Sequence, residues 1–223
     1  MKVVAMLGTA DQAVLRIAQG LGEVTALAVS PDGAALSVAA GALPRVRLWD
    51  DALAELPPVG ADREAVLATV LAAAARRLEA QLFVIAETPI GYLGSAVAEQ
   101  LNLSHVSQVV AAALGGGDSL NPQLRIVRRC LHGVQRLHGP AAAVLCVVPA
   151  VDVVADPAAA GVPPAEAAPA ETLWNLAEVG LTRPELPRPL VRVISPPQRT
   201  LFSPRPFENL ESLVARLRQD GLG

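Results

Sequence analysis

The chain of 223 residues has 18 Lys and Arg against 21 Asp and Glu, and its net charge of −3 offers no overall basic footprint for nucleic acid. Hydrophobic residues make up 52% of the chain and aromatic residues only 3%, which predicts an Ala/Val/Leu core of packed strands and helices and disfavours a platform for stacking bases. We therefore expect one domain with an arm, and no nucleic-acid partner.

Apolar runs and cysteines bear on the compartment and on metal binding. No apolar run reaches about 18 residues without a charge, and the first residues already have a strand pattern, so we expect neither a membrane span nor a signal peptide. Cys130 and Cys146 lack a CxxC spacing, which indicates reduced structural thiols. His105, His132 and His138 lack the spacing of a metal site. These features predict a cytoplasmic protein without membrane insertion or a metal.

The first half of the chain alternates strand and helix patterns. Short apolar runs predict strands at 3–7, 24–30, 46–49 and 82–86. Capping residues and helical spacing predict helices at 11–19, 34–40, 62–79 and 94–101. This alternation predicts an α/β fold, a Rossmann-like parallel sheet flanked by helices.

The second half begins with strands and continues into an Ala/Pro-rich stretch. Strand patterns at 124–129, 133–137 and 143–148 have no helices between them, and turns at 115–118 and 132–133 predict a small antiparallel annex. Residues 156–171 are almost all Ala, Pro, Gly and Glu, which cannot offset the entropy cost of ordering. We divide the chain into a Rossmann-like domain at 1–154, a linker with a further loop at 155–190, and a C-terminal arm at 191–223.

The last thirty or so residues have the pattern of an arm that lies on another surface. An apolar run at 191–195 ends at Pro196 and Pro197, which fix φ and remove two backbone donors. A charged helix pattern at 208–219 follows. Its narrow apolar stripe consists of Leu210, Leu213, Val214 and Leu217. A stripe this narrow on a polar helix favours contact with a partner surface.

This order of elements, together with the tail, resembles the β subunit of electron transfer flavoproteins. The strongest match is the Pro-Pro-Gln-Arg-Thr stretch at 196–200, followed by the Glu/Leu/Val/Arg-rich helix. A second match joins 128–133 to Gly139-Pro140-Ala141. A third is Glu-Thr-Leu-Trp-Asn-Leu at 171–176, which is similar to the recognition loop of the family, with Leu173 at the position of the leucine that enters a partner dehydrogenase.

The resemblance implies an electron-carrier subunit of a heterodimer that is not itself a catalyst. The partner would be an α-type subunit that holds most of the FAD, and the pair would pass electrons between a dehydrogenase and an acceptor. Residues implied to contact partners are Leu173, Trp174, Pro197, Gln198, Arg199, Thr200, Leu213 and Leu217. The lysine-rich stretch that follows the family's recognition loop is absent at 177–180, so the usual acyl-CoA dehydrogenase is not the expected redox partner.

Members of the family bind AMP or a second flavin at the carboxyl ends of the parallel strands, where phosphates meet helix N-termini. The corresponding cofactor positions are Ala5, Ala10, Gly91, Tyr92, Leu93, Gly94 and Ser95. Gly94 matches a family glycine, which would let the backbone approach a phosphate. The acidic run of the family loop is missing, however, and Pro89 removes a backbone donor.

Two interpretations of this loop follow from the residues. One is a residual adenine-nucleotide site that uses the amides of Gly91, Gly94 and Ser95. The other, which the lost donors favour, is a degenerate loop in which Tyr92 closes the pocket or faces the α subunit. The degenerate loop also raises an alternative function, a structural subunit of a larger redox complex that has lost nucleotide binding. A free-standing nucleotide sensor is a third interpretation, against which the partner-seeking tail argues.

Overall fold

A nine-stranded mixed sheet forms the centre of the computed structural model. The structure describes residues 1–8, 11–30, 40–56, 60–88, 90–115, 122–148 and 171–182. All of them belong to one unit, which spans Met1–Leu190. The linker at 155–170 and the arm at 191–223, with Pro197 to Thr200, Leu213 and Leu217, lie outside the described residues, as do Ala10 and residues 34–39 of the helix predicted at 34–40.

The strands are β1 Lys2–Met6, β2 Glu23–Val29, β3 Arg45–Leu48, β4 Leu82–Ala86, β5 Ser104–Leu114, β6 Gln123–Cys130, β7 Gly133–Pro140, β8 Ala143–Val147 and β9 Glu171–Trp174. The helices are α1 Asp11–Gln19, α2 Asp51–Ala54, α3 Ala61–Arg77 and α4 Leu93–Leu101, and a 3-10 turn covers Ala177–Val179. In the sheet the strands follow the order β7-β6-β5-β8-β4-β1-β2-β3-β9.

Seven of these strands, from β5 to β9 in sheet order, are parallel to their neighbours. Only the β5–β6 and β6–β7 pairs are antiparallel. The predicted α/β class is thus confirmed: a Rossmann-like, mostly parallel sheet is flanked by helices and extended by a small antiparallel annex. Within the described ranges, no helix is long and apolar enough to cross a membrane.

Helix α3 is stabilised by acidic residues at its N-terminus and basic residues at its C-terminus, which interact favourably with the helix dipole. Asp62 and Glu64 lie in its first turn, and Arg76 and Arg77 lie in its last turn. The Ala-rich sequence between them has high helix propensity and allows close packing against the sheet. The helix begins one residue before the predicted cap, because Gly60 and not Asp62 is the N-cap residue.

Two apolar layers cover the two faces of the sheet. One layer joins α3, α4 and the α2 region to the sheet, with Leu71, Phe83 and Val97 at its centre. The other joins α1 to the opposite face and includes Leu124 and Ile126 of β6. Central strands such as β4 are buried on both faces, as their continuous apolar sequence predicts.

The annex differs from the prediction in one strand. Residues 143–148 were expected to be an antiparallel annex strand, but β8 lies between β4 and β5 and is parallel to both. All five of its residues are buried, which is typical of a central parallel strand. The annex consists instead of β6, β7 and the second half of β5, a strand that the sequence analysis did not predict.

Strand β5 changes partners at a bulge. Its first half pairs with β8, and after a register shift between Val106 and Val109 it pairs with β6. Gln108, inside the bulge, has a left-handed φ of 59°. Bulges bend strands, and here the bend carries the chain back towards the amino ends of the parallel strands, where Gln123 and Pro140 line a groove with Met1 and Gln81.

Candidate functional site

The loop between β4 and α4 lies at the carboxyl end of the parallel sheet, where the family resemblance places a nucleotide. The Glu87 N–H donates to the Val147 carbonyl over 2.8 Å, so the loop leaves the sheet beside the last residue of β8. Of the predicted cofactor residues, Gly91 to Ser95 are brought together here, at the start of α4. We refer to residues 87–95, excluding Pro89, as the α4 loop.

Three contacts within this chain hold the start of α4. Glu64, in the first turn of α3, is only 6% exposed, and its Oε2 accepts a hydrogen bond from the Tyr92 N–H over 3.0 Å. The Gly91 N–H donates to the Thr88 hydroxyl over 3.1 Å. The Ser95 hydroxyl donates to the Tyr92 carbonyl over 2.8 Å. A buried carboxylate therefore takes the place at the helix start where an anionic ligand would be stabilised.

A second carboxylate of the α4 loop supports the bulge in β5. The Glu87 Oε2 accepts a hydrogen bond from the Gln108 N–H over 3.1 Å. Gln108 has the left-handed backbone described above, so Glu87 stabilises the conformation that redirects β5. With Glu64 and Glu87 both engaged at this edge, a phosphate placed here would meet two negative charges.

Gly94 is required for packing between α4 and the sheet. A Cβ built on Gly94 would overlap the Cys146 sulfur, lie 3.1 Å from His105 Nε2 and lie 3.4 Å from Ile85 Cδ1. The residue is buried at the second position of α4. The matching family glycine was interpreted as room for a phosphate, but in this chain the room is filled from the strand side by protein atoms.

Beneath Gly94, His105 and Cys146 form a neutral pair. The His105 Nε2 lies 3.3 Å from the Cys146 sulfur. Burial lowers the pKa of His105, with Glu87 opposing that shift. Burial, with smaller contributions from Glu87 and Glu64, raises the pKa of Cys146 to about 12. Because the thiol stays protonated at neutral pH, the pair lacks the thiolate of a nucleophilic cysteine.

Ala5, another predicted cofactor residue, does not share a surface with the α4 loop. Ala5 is completely buried in the middle of β1, paired with Ala26 and Val84. Leu93 is buried at the first position of α4, while Tyr92 and Ile90 are exposed. The geometry therefore gathers the α4 loop into one place, but it does not bring Ala5 to a shared opening with it.

The predicted recognition loop forms an ordered edge strand. Residues 171–174 are β9, parallel to β3, and the Arg47 Nε donates to the Glu171 Oε1 over 2.7 Å. Leu173 points outward and is 55% exposed. Trp174, expected at the partner surface, is only 8% exposed and belongs to the core layer of α3. The Arg77 guanidinium lies over its ring, 4.6 Å from the centroid.

A reciprocal cap fixes the chain directly after β9. The Asn175 N–H donates to the Glu178 Oε2 over 2.7 Å, and the Glu178 N–H donates to the Asn175 Oδ1 over 3.0 Å. The Arg77 side chain also donates to the Glu178 carbonyl. The exposed Leu173 is thus held between a salt bridge on one side and a capped turn on the other.

Sequence reasoning missed the residues that close the α4 loop, Glu64 and Gln108. An acidic residue in the first turn of a helix is expected from the helix dipole alone, so Glu64 gives no sequence signal of its contact with Tyr92. Gln108 has no glycine-like signature of a left-handed residue. Within the described ranges, no group of three or more His, Cys, Asp and Glu could hold a metal ion.

We compared the sequence with protein-family models and with curated proteins, and neither comparison found a match.

Proposed function

We propose that this chain is a β-like subunit of an electron transfer flavoprotein, which pairs with an α-type subunit and leaves most of the FAD to that partner. The observation that carries the proposal is the exposed Leu173 on an anchored edge strand, within the segment that resembles the family's recognition loop. An exposed leucine on a rigid support is suited to enter a pocket of a redox partner without a large ordering cost.

The contacts of the α4 loop also support the proposal that the partner subunit, rather than this chain, holds most of the cofactor. Glu64 already occupies the start of α4, and Glu87 holds the neighbouring bulge. Both contacts disfavour the phosphate of AMP on this chain. The chain would then contribute a scaffold and docking surfaces, while the flavin carries the electrons and the protein sets its position and potential.

A second candidate follows from the same two carboxylates. If the loss of the nucleotide site extends to the shared flavin, the chain is a structural subunit of a larger redox complex. Both candidate functions require a heterodimer. They differ in visible absorbance, because only the first requires bound flavin.

The test combines the purified full chain with an FAD-loaded α-type subunit of the same source. Co-elution with the visible flavin spectrum and without released AMP supports the first candidate. A stable but colourless complex supports the second. Failure of the two chains to associate overturns both. Replacement of Leu213 and Leu217 by Asp, in the tail stripe, is expected to prevent association.

Docking of the redox partner is tested in the assembled heterodimer with Leu173→Ala. We expect about a tenfold slower reduction by the partner dehydrogenase with unchanged flavin content, since an anchor residue contributes about 1–2 kcal/mol. Leu114→Ala is the matched control, because Leu114 is also a half-exposed strand leucine. Equal rates for the two variants would argue against Leu173 as the contact.

A further inference from the structure

The β6–β7 hairpin concentrates positive charge in a chain that is negative overall. Four arginines lie between residues 122 and 142, and this stretch contains no Asp or Glu. They are Arg125, Arg128, Arg129 and Arg136. The net charge of the whole chain is −3, so the hairpin is an isolated positive region. We call residues 123–140 the arginine hairpin.

Three of the four arginines share the outward face of the hairpin. In β6, Leu124 and Ile126 are buried against the sheet layer of α1, so the alternate residues Arg125 and Arg129 point away from it. Arg136 of β7 lies opposite Val127, on the same outward face. Arg125, Arg129 and Arg136 are all exposed.

The turn of the hairpin adds apolar surface to this charge. Leu131 is 92% exposed and Val134 is 65% exposed. Val109 pairs with both Arg128 of β6 and Val147 at the end of β8, so the turn extends past the carboxyl edge of the sheet, by roughly 7 Å for two extended residues. Two apolar side chains flanked by arginines form a surface suited to a partner protein.

Strand β7 also presents an open edge. It is the outermost strand on its side of the sheet, and in the part of the chain that the structure describes no further strand pairs with it. In an antiparallel ladder, alternate residues direct their backbone N–H and C=O groups away from the existing neighbour. β7 therefore offers a row of donors and acceptors for an added strand.

We propose that the arginine hairpin docks an acidic β-strand of a partner protein, added along the outer edge of β7. Carboxylates of that strand would lie on the outward face with Arg129 and Arg136, and its alternate apolar residues would lie on the opposite face, beside Leu137. This docking surface is independent of the proposed electron-transfer role.

Charge and composition favour this occupant over the alternatives. A second copy of the chain, added edge to edge, would bring two arginine hairpins side by side, and like charges repel. Nucleic acid is disfavoured because residues 122–148 contain no Phe, Tyr or Trp on which a base could stack. A further alternative is that the arginines only prevent aggregation along the exposed edge of β7, in which case the hairpin would bind no added strand.

The test measures binding of a fluorescent octapeptide of alternating glutamate and valine to the full chain by anisotropy. A lysine–valine octapeptide is the charge control, and a glutamate–valine octapeptide with N-methylated valines is the backbone control. We expect the acidic peptide to bind at least about tenfold more tightly than either control, and more weakly as salt increases. Bound peptide should also slow alkylation of Cys130, which is exposed at the end of β6.

Charge-matched variants locate the site. Arg129→Gln with Arg136→Gln should weaken binding of the acidic peptide about tenfold or more. Lys2→Gln with Arg16→Gln removes the same charge from exposed positions elsewhere and should change binding less than about twofold. Thermal unfolding of each variant checks that the fold is retained, which is expected because all four side chains are exposed.

Four binding results would overturn the proposal. They are absence of binding by any peptide, equal binding of the acidic and basic peptides, equal losses in the two double variants, and tighter binding of a single-stranded oligonucleotide that the hairpin variant abolishes. A concentration-dependent dimer that Arg129→Gln with Arg136→Gln strengthens would also overturn it, because the edge would then belong to a second copy.

Discussion

The Glu64 carboxylate accepts a hydrogen bond from the Tyr92 N–H over 3.0 Å, and this contact joins the start of α3 to the start of α4. The two residues are 28 positions apart in the sequence. A side chain of one helix thus caps the next helix, at the edge of the sheet where related folds hold a phosphate. The contact explains how the α4 loop is ordered by the chain alone.

Glu64→Ala should destabilise the protein by about 1–3 kcal/mol, because it leaves the Tyr92 N–H without its charged acceptor. Urea unfolding measures the change. Glu99→Ala is the control, since Glu99 is an exposed residue of α4, and its effect should stay within about 0.5 kcal/mol. Equal free energies of unfolding for the two variants would show that the cap contributes little.

Gly94→Ala should destabilise the protein by about 1–3 kcal/mol or more, because the new methyl group overlaps the Cys146 sulfur. Adding Cys146→Ala removes the overlapping atom and should recover part of the loss. The coupling energy from this double-mutant cycle is the decisive measurement. Gly139→Ala is the control, since nothing lies within 4 Å of a Cβ built there.

A phosphate-binding role for Gly94 makes a different prediction. In that case Gly94→Ala would weaken adenine-nucleotide binding while stability stayed near that of the wild-type protein. Cys146→Ala would then restore nothing.

The two cysteines should differ sharply in reactivity. Cys130 is exposed, whereas Cys146 is buried and its pKa is raised to about 12. A thiol reagent at pH 8 should modify Cys130 rapidly and leave Cys146 unmodified until the protein unfolds, because the thiolate is the reactive form. Mass spectrometry of the native protein should show one adduct, and rapid addition of a second would contradict the burial of Cys146.

Cys146 should also make stability depend on alkaline pH. Its pKa rises on folding from an ordinary value of 9.0 to about 12, so above pH 9 the unfolded chain has lost a proton that the folded chain keeps. The contribution of Cys146 to the free energy of unfolding is complete below pH 9. It is lost as the pH rises towards 12, and the free energy of unfolding falls by about 1.4 kcal/mol per pH unit in this range. Cys146→Ala should flatten this part of the profile, measured by urea unfolding.

Neighbouring residues of β9 should respond differently to truncation. Trp174→Ala removes a buried ring and the surface beneath Arg77, and should cost about 3–5 kcal/mol. Leu173→Ala changes an exposed side chain and should cost less than about 1 kcal/mol. Thermal and urea unfolding measure both changes. Similar losses for the two variants would mean that β9 is not oriented as described.

The sequence correctly predicted elements whose own residues have an unambiguous pattern, such as a fully apolar strand or an Ala-rich helix with charged ends. Strand β4 was predicted with the observed boundaries, because an apolar run buried on both faces has no competing interpretation. The start of β1 and the end of α4 were predicted to within one residue. The long helix α3 was recognised from its composition and its charged ends.

Sequence patterns did not predict features whose position depends on contacts with residues far away in the chain. The run at 143–147 is apolar in any sheet, so its pattern could not distinguish a central parallel strand from an annex strand. Strand β5 alternates poorly because its two halves belong to different environments, separated at Gln108. Trp174 was expected at the surface because tryptophans dominate interfaces, but the packing of α3 decides its burial.

The pairing of β9 with β3 has a practical consequence for spectroscopy. The chain contains two tryptophans, and the Trp49 backbone N–H donates to the Trp174 backbone carbonyl over 2.9 Å, so both residues lie at the carboxyl end of the β3–β9 pair. Intrinsic tryptophan emission is therefore a local optical reporter of the β3–β9 edge. A ligand that quenches it acts near that edge, and events at the opposite edge of the sheet require a dye attached at another position.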